Sequence, residues 1–338
     1  MTLLPRSMRL HTRFILVIVQ SALVGLLGPA SRCLALDKSA ARTIQSNLDQ
    51  GLANDAIQRL SEALSKDPGD AQTHNLLCRV YFEEQRLDNA NHECEQAVRL
   101  SNDNSNYHLW LGRIYGEKAG HAGYFEAYGL SKKIRNEFET AVKLDPRNVD
   151  ALVDLTQFYT EAPSIVGGGT EKAVAIADKL ADLDTSRAHE MRARIAAQQK
   201  NFERAESEFM AAIAATKSPA LAWTALASFY RKQQRVDDMM HAIREATSTD
   251  HERGVALVYA ASQLVRSNRE PKLAIHLLQE YLASPNKSEQ APAFQVRAHL
   301  GQLLLQEGDA TGAQREFDAA KAMARDYKVP TRPANKGE

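Results

Sequence analysis

Cysteine is scarce in this 338-residue chain, three in all, too few for a disulfide-built scaffold or a structural zinc cluster. Net charge is absent as well: 42 basic side chains meet 42 acidic ones, which argues against nucleic-acid binding by bulk electrostatics. Aromatic residues make up only 7%. There is no G-x-S-x-G and no H-E-x-x-H. His189-Glu190 lacks a second histidine four residues on, and His92-Glu93-Cys94 has no second ligand pair. The histidines therefore read as isolated surface residues. Ser284-Pro285-Asn286-Lys287 fits S-x-x-K, but in a proline-containing loop without the accompanying motifs. Gly167-Gly168-Gly169-Thr170-Glu171-Lys172 has the glycines of a phosphate loop, yet no lysine follows a glycine as that loop requires, and nothing nearby reads as a strand. It reads instead as an inter-helix loop, with Thr170 capping the next helix. No nucleophile, base and orienting group can be assembled, so neither an enzyme nor a cofactor or metal is expected.

What is present begins with an address. Arg6, Arg9 and Arg13 precede an apolar run from Phe14 to Leu27, followed by Gly28-Pro29 and then by Cys33-Leu34-Ala35. A basic start, a short apolar core and small residues at a cleavage point make residues 1–35 a secretory signal. The run is shorter than the roughly 20 residues a membrane-spanning helix needs; an uncleaved anchor is the alternative. Cleavage after Ala35 takes away four arginines and no acid, leaving 38 basic against 42 acidic residues. Beyond the leader no apolar stretch could cross a membrane. The expectation is an exported protein, periplasmic or extracellular, with no membrane span after cleavage.

After the leader the sequence repeats with a period of 34. The unit from Ala71 carries Leu77, Cys78 and Tyr81, then Ala90, Cys94 and Ala97. The unit from Ala220 carries Trp223, Leu226, Ala227 and Tyr230, then Met239, Ile243 and Ala246. Steps of three and four make each unit two amphipathic helices. Gly112, Ala227 and Gly301 on first helices should face small residues such as Ala205 and Ala313 on second helices. Phe209, Ile243 and Phe317 should then fill the gap to the next unit. One hairpin cannot bury both faces, so neighbours must stack.

Trp223-Thr224-Ala225-Leu226-Ala227-Ser228-Phe229-Tyr230, the run Leu111-Gly112-Arg113-Ile114-Tyr115, and the closing prolines of Asp67-Pro68 and Asp145-Pro146 resemble the tetratricopeptide repeat family. The resemblance implies an all-α fold, a right-handed superhelical solenoid of about eight hairpins over residues 37–324. Units fall near 37–70, 71–104, 105–148, 149–185, 186–219, 220–253, 255–288 and 294–324, with a polar, frayed tail at 325–338. It also implies a protein-binding or assembly module, acting on a protein or peptide and not on nucleic acid. The family's groove positions correspond here to Asn75, Arg79, Asn106, Arg113, Gln157, Arg187, Glu190, Arg194, Ser228, Arg231 and Lys232, together with Phe82, Thr224, Tyr259, Gln263 and Arg266. Arginine predominates among them. Its planar fork suits carboxylates, so an acidic or C-terminal peptide segment is the expected ligand, in the setting of the cell envelope.

Two further features carry alternatives. Cys78 and Cys94 lie on the two helices of one hairpin. They are either small core residues or, in an oxidising compartment, a disulfide. The third and fourth units absorb insertions at 118–132 and 161–169. Their residues Tyr124, Phe125, Tyr128, Ile165 and Val166 either form an exposed contact patch or pack on one another as a small core of their own, the favoured reading for loops this long. An accessory subunit of an envelope enzyme or secretion complex would use this surface or the outer face instead of the groove.

Overall fold

The amphipathic stretches form helices, and short turns force each to pack against the next. The computed structural model describes Leu36 and residues 38–248 and 253–329; the expected leader, 1–35, lies outside the described residues. Sixteen α-helices pair into eight hairpins. The first four are α1 (Lys38–Gln50) with α2 (Ala53–Lys66), α3 (Ala71–Glu83) with α4 (Leu87–Leu100), α5 (Ser105–His121) with α6 (Tyr124–Leu144), and α7 (Val149–Glu161) with α8 (Thr170–Ala181). The rest are α9 (Thr185–Gln198) with α10 (Phe202–Ala214), α11 (Ala220–Lys232) with α12 (Val236–Ser248), α13 (Gly254–Arg266) with α14 (Pro271–Ala283), and α15 (Ala293–Gln306) with α16 (Ala310–Met323). No strand occurs among the described residues.

The period is written into the backbone. Gly51, Gln85, Lys200, Gln234, Asn268 and Gly308 all have φ between 52° and 90°, the left-handed residue that ends a first helix. Behind each, the next N–H reaches back five residues, as from Arg86 to the Tyr81 carbonyl at 2.9 Å and from Arg235 to Tyr230 at 3.0 Å. Between hairpins, Asp70, Asn104, Asn148 and Asp184 cap the following helix with their side chains. Tyrosines then tie neighbours together. Tyr115, Tyr159 and Tyr230 donate to Glu95, Glu139 and Glu206 of the preceding second helix, at 3.1, 2.7 and 2.7 Å.

Within a hairpin the packing differs from expectation. A Cβ on Gly112 would lie 2.5 Å from the Phe138 ring, and one on Gly301 would lie 2.6 Å from Phe317. The glycines face not small residues but the large ring of their own second helix, and the missing side chain is what admits that ring. Cys78 and Cys94 are joined, with their Cα atoms 5.3 Å apart, and cross-link α3 to α4.

Nor are three of the histidines isolated. His74, His108 and His189 pair through Nδ1 with Glu93, Glu137 and Glu208 of their own second helices, at 2.6, 2.6 and 2.7 Å. In the last hairpin Arg297 and Glu316 make the same cross-link at 2.7 Å. The second ring nitrogen of His108 faces the Asn102 carbonyl at 3.0 Å, so only the imidazolium satisfies both acceptors. Burial opposes that charge, but the Glu137 carboxylate and the Asn102 carbonyl prevail and raise the pKa above the ordinary histidine value. A raised folded-state pKa means the pair stabilises fully below the unfolded value, about 6.5, and loses its contribution as pH climbs through the folded one. The stability difference between wild type and His108→Gln should therefore shrink as pH rises above about 6.5. Urea titrations along a pH series measure it; parallel pH profiles would contradict the assignment.

The 118–132 insertion is not a loop with a core of its own: it lengthens α5 and α6 to 17 and 21 residues, against 12 to 14 in the other helices. The 161–169 insertion remains a loop between α7 and α8, with a 3-10 turn at Ser164–Val166. Lys118 anchors the extension to Asp88 of α4 at 2.8 Å. Tyr124 and Phe125 stand at its tip, 81% and 89% exposed, touching only edge to face. Ile165 is 72% exposed, whereas Val166 is buried and offers its carbonyl to Arg135 at 3.2 Å. Val166 therefore drops out of the patch. Tyr128 lies half-buried under Lys132. At the neighbouring turn Gly169, not Thr170, occupies the cap position. Gly168 sits where any side chain would strike the Ala162 carbonyl.

The two ends of the solenoid meet. Ile44, Leu48 and Leu60 of the first hairpin share one apolar cluster with Phe294 and Ala298 of α15, Ala320 of α16, and Tyr327. Asn54 donates to the Ala322 carbonyl at 2.9 Å and accepts from the Arg325 N–H at 3.0 Å. Arg86 reaches Asp326 at 2.9 Å. Gly51 is needed here, because a Cβ would fall 2.5 Å from the Ala293 nitrogen. The part of the expected frayed tail that is described, 325–329, is thus packed into the closure, with Tyr327 edge-on to Phe294.

Candidate functional site

Closing the ring turns the concave groove into a chamber lined by the first helices of all eight hairpins. It has two lobes that share Glu83, Trp110, Arg113, Asp150 and Gln290, of about 740 and about 670 Å3. Asn75, Arg79, Asn106 and Arg113 line the first; Arg113, Arg187, Glu190, Arg194 and Ser228 line the second, with Thr224, Tyr259 and Gln263. Lys232 lies in a side cleft with Arg194 and Ser228. Gln157 and Arg231 line neither lobe. Gln157 bonds Glu161 at 3.1 Å, and Arg231 bonds Gln263 at 2.9 Å.

Three of the six arginines expected in the groove, Arg79, Arg113 and Arg194, are neutralised. Arg79 is held by Glu289 and by Gln45, the latter at 2.9 Å. Arg113 donates to Asp154 at 2.6 Å, and Arg194 to Glu190 at 2.8 Å. Trp110 lies between Arg79 and Arg113, whose guanidinium carbons are 5.3 and 4.9 Å from its ring. Arg187 has no ion pair among the described residues, which leaves it as a cation facing the chamber. Asn75 is 5% exposed and its Nδ2 has no partner, a buried donor on the lobe wall.

The carboxylates were not legible from repeat positions. Burial and the neighbouring Glu289 hold the Glu83 carboxyl well above the usual range, against the opposing pull of Arg79 and Arg113. Burial also raises Asp154, despite Arg113 beside it. Glu289 comes from the strap at 284–292 between α14 and α15, whose signal was the break in period between units seven and eight. Gln295 of α15 donates to the Glu83 backbone carbonyl at 2.7 Å, stitching the strap's end to α3. Among the described residues no group of histidine, cysteine or carboxylate side chains is arranged to hold a metal, and no helix is long and apolar enough to cross a membrane.

Residues 47–114 match the family model of the tetratricopeptide repeat. No curated protein compared with the chain matches it in sequence. Among solved structures, a thermophilic repeat protein of Thermus thermophilus, TTC0263, is similar at 20% identity, with 58% of this chain and 99% of that one covered and a TM-score of 0.44. A tetratricopeptide repeat protein from Parabacteroides merdae is similar at 14% identity, covering 82% and 96%, with a TM-score of 0.47. Human IFIT1, solved as a dimer with m7Gppp-AAAA, is similar at 14% identity, covering 80% and 68%, with a TM-score of 0.46. The family match covers residues 47–114 and the same packing of paired helices continues to Met323, so the described residues form an all-α solenoid of helical hairpins that carries a tetratricopeptide-repeat segment at 47–114.

Proposed function

We propose that the chamber holds the carboxyl end of a partner polypeptide, making this a non-catalytic binding or assembly protein of the cell envelope. The observation that carries the reading is Arg187, which lines the chamber and makes no ion pair among the described residues. A closed ring favours a chain end over a long extended segment, because an end enters without threading. Glu117 and Asp150 on the same wall weigh more against a run of phosphates than against a single carboxylate, which favours a peptide over a nucleic acid. Export, to the periplasm or beyond, is supported by the basic, apolar and small-residue succession of residues 1–35. A preformed chamber loses little of its own freedom on binding.

Peptides selected on the protein should bind through a free carboxylate. C-terminal amidation, or Arg187→Glu, should each weaken them by about tenfold or more, as loss of a charge-assisted bond does. Fluorescence anisotropy reads this out; equal binding of amidated peptides would end the proposal. The second reading, an accessory subunit, is favoured by the exposed Tyr124, Phe125 and Ile165 at the elongated hairpin. In that case Phe125→Asp, not Arg187→Glu, would abolish partner binding.

A further inference from the structure

Consecutive first helices pack directly where α11 meets α13, but α13 and α15 stand further apart. The strap at 284–292 separates them, and it is a built element. The Tyr281 hydroxyl, fully buried, donates to the Ala291 carbonyl at 2.7 Å and accepts from the Ser288 N–H at 3.0 Å. The gap that results is a slot of about 220 Å3, smaller than the cavities drug-sized ligands need. Val258 and Val265 of α13 face Val296 and Leu303 of α15 across it, and Leu278 of α14 also lines it. The α13 wall runs from Val258 to Arg266, about 12 Å at helical rise.

The slot has an apolar stripe along both helices, flanked by Ser262, Gln295, His299 and Gln302, and by the cation Arg266. Arg266, in the last turn of α13, lines it and has no ion pair among the described residues. Burial and the Arg266 charge together lower the pKa of Arg231 on α11, whose Nε donates to a neutral partner, Gln263. Two guanidinium groups thus lie near one another without a carboxylate between them. His299 also lines the slot, and desolvation lowers its pKa, which keeps a neutral ring beside the apolar wall. An apolar stripe with an uncompensated cation at its end is complementary to a molecule with a tail and an anionic head.

We propose that this slot binds a small aliphatic carboxylate, its chain between Val258, Val265, Val296 and Leu303 and its carboxylate on the Arg266 guanidinium. The planar fork of arginine matches two carboxylate oxygens. The length of the wall suits a medium-length chain, and the narrowness of the gap between two helices suits an unbranched one. The inference does not depend on the chamber's ligand, since Arg187 and Arg194 do not line the slot.

The test is calorimetric titration of the full chain with octanoate, 1-octanol and acetate. Octanoate should bind saturably at one site, with octanol and acetate each weaker by about tenfold or more, because one lacks the charge and the other the tail. Arg266→Gln should weaken octanoate by a similar factor and leave octanol unchanged. Val265→Phe should abolish both by filling the slot, and Ser262→Phe, at a half-buried wall position, serves if Val265→Phe misfolds by circular dichroism. Arg187→Glu should leave octanoate binding intact. The proposal is overturned if octanoate does not saturate, if octanol equals it, if Arg266→Gln has no effect, or if Arg187→Glu weakens it.

Discussion

Replacing Arg79 by alanine is expected to open the ring and to cost about 3 kcal/mol of stability, the usual result of removing one partner from a largely buried ion pair. Arg79 joins three parts of the chain that are remote in sequence: its own helix α3, Gln45 of α1, and Glu289 of the strap. The side chains of Arg79 and Glu289 are 17% and 12% exposed, so water cannot easily replace what is lost. Glu83 sharpens the effect. Its carboxyl is already held well above the usual range by burial and by Glu289, and Arg79 is a cation that offsets both. Small-angle scattering should show a larger radius of gyration, and urea denaturation should show the lost stability. A control separates charge from geometry: Arg79→Met with Glu289→Leu removes both charges and should recover much of the loss, since well-packed apolar pairs replace buried ion pairs at little cost. An unchanged radius and midpoint in Arg79→Ala would mean that the apolar cluster around Phe294 closes the ring by itself.

The second large effect is expected at Phe138. Its ring is 6% exposed and lies against the bare Cα of Gly112. Phe138→Ala should destabilise by about 3–4 kcal/mol, the transfer and cavity cost of deleting a buried ring. Gly112→Val, the opposite error, should cost about 1–3 kcal/mol by overpacking. The two sites are in contact, so their effects should not add; a larger residue at 112 has room only when the ring is gone. Gly112→Val combined with Phe138→Ala should therefore be more stable than the sum of the single changes by more than about 0.5 kcal/mol. Strict additivity would show that the ring and the glycine do not share one space. Tyr124→Ala at the exposed tip should change stability by no more than about 0.5 kcal/mol.

Most of the repeat was readable because its determinants are local. Leu226, Ala227 and Tyr230 recur at spacings that only a helix places on one face. Asp70 and Asn104, one period apart, cap consecutive units. Other features were hidden because a period reports position but not partner. His74, His108 and His189 occupy the same place in their units, yet nothing in the sequence says that a glutamate of the second helix stands opposite each. Tyr124 and Phe125 looked like residues needing cover, and their exposure follows from the extra length being added to α5 and α6 instead of to a loop. Glu289 belongs to no repeat position, so a reading confined to groove positions saw the arginines without the carboxylates that neutralise them.

From residues alone came the helical hairpins, their order and the inward helix of each, because every one of these depends on contacts within a unit or with the next. Whether α1 and α16 meet is a different kind of question. It depends on a small rotation at each of seven junctions, and the sum of those rotations is written in no single junction. Closure of the ring, conversion of an open groove into a chamber, and the slot left where the strap holds α15 away from α13 all rest on that sum.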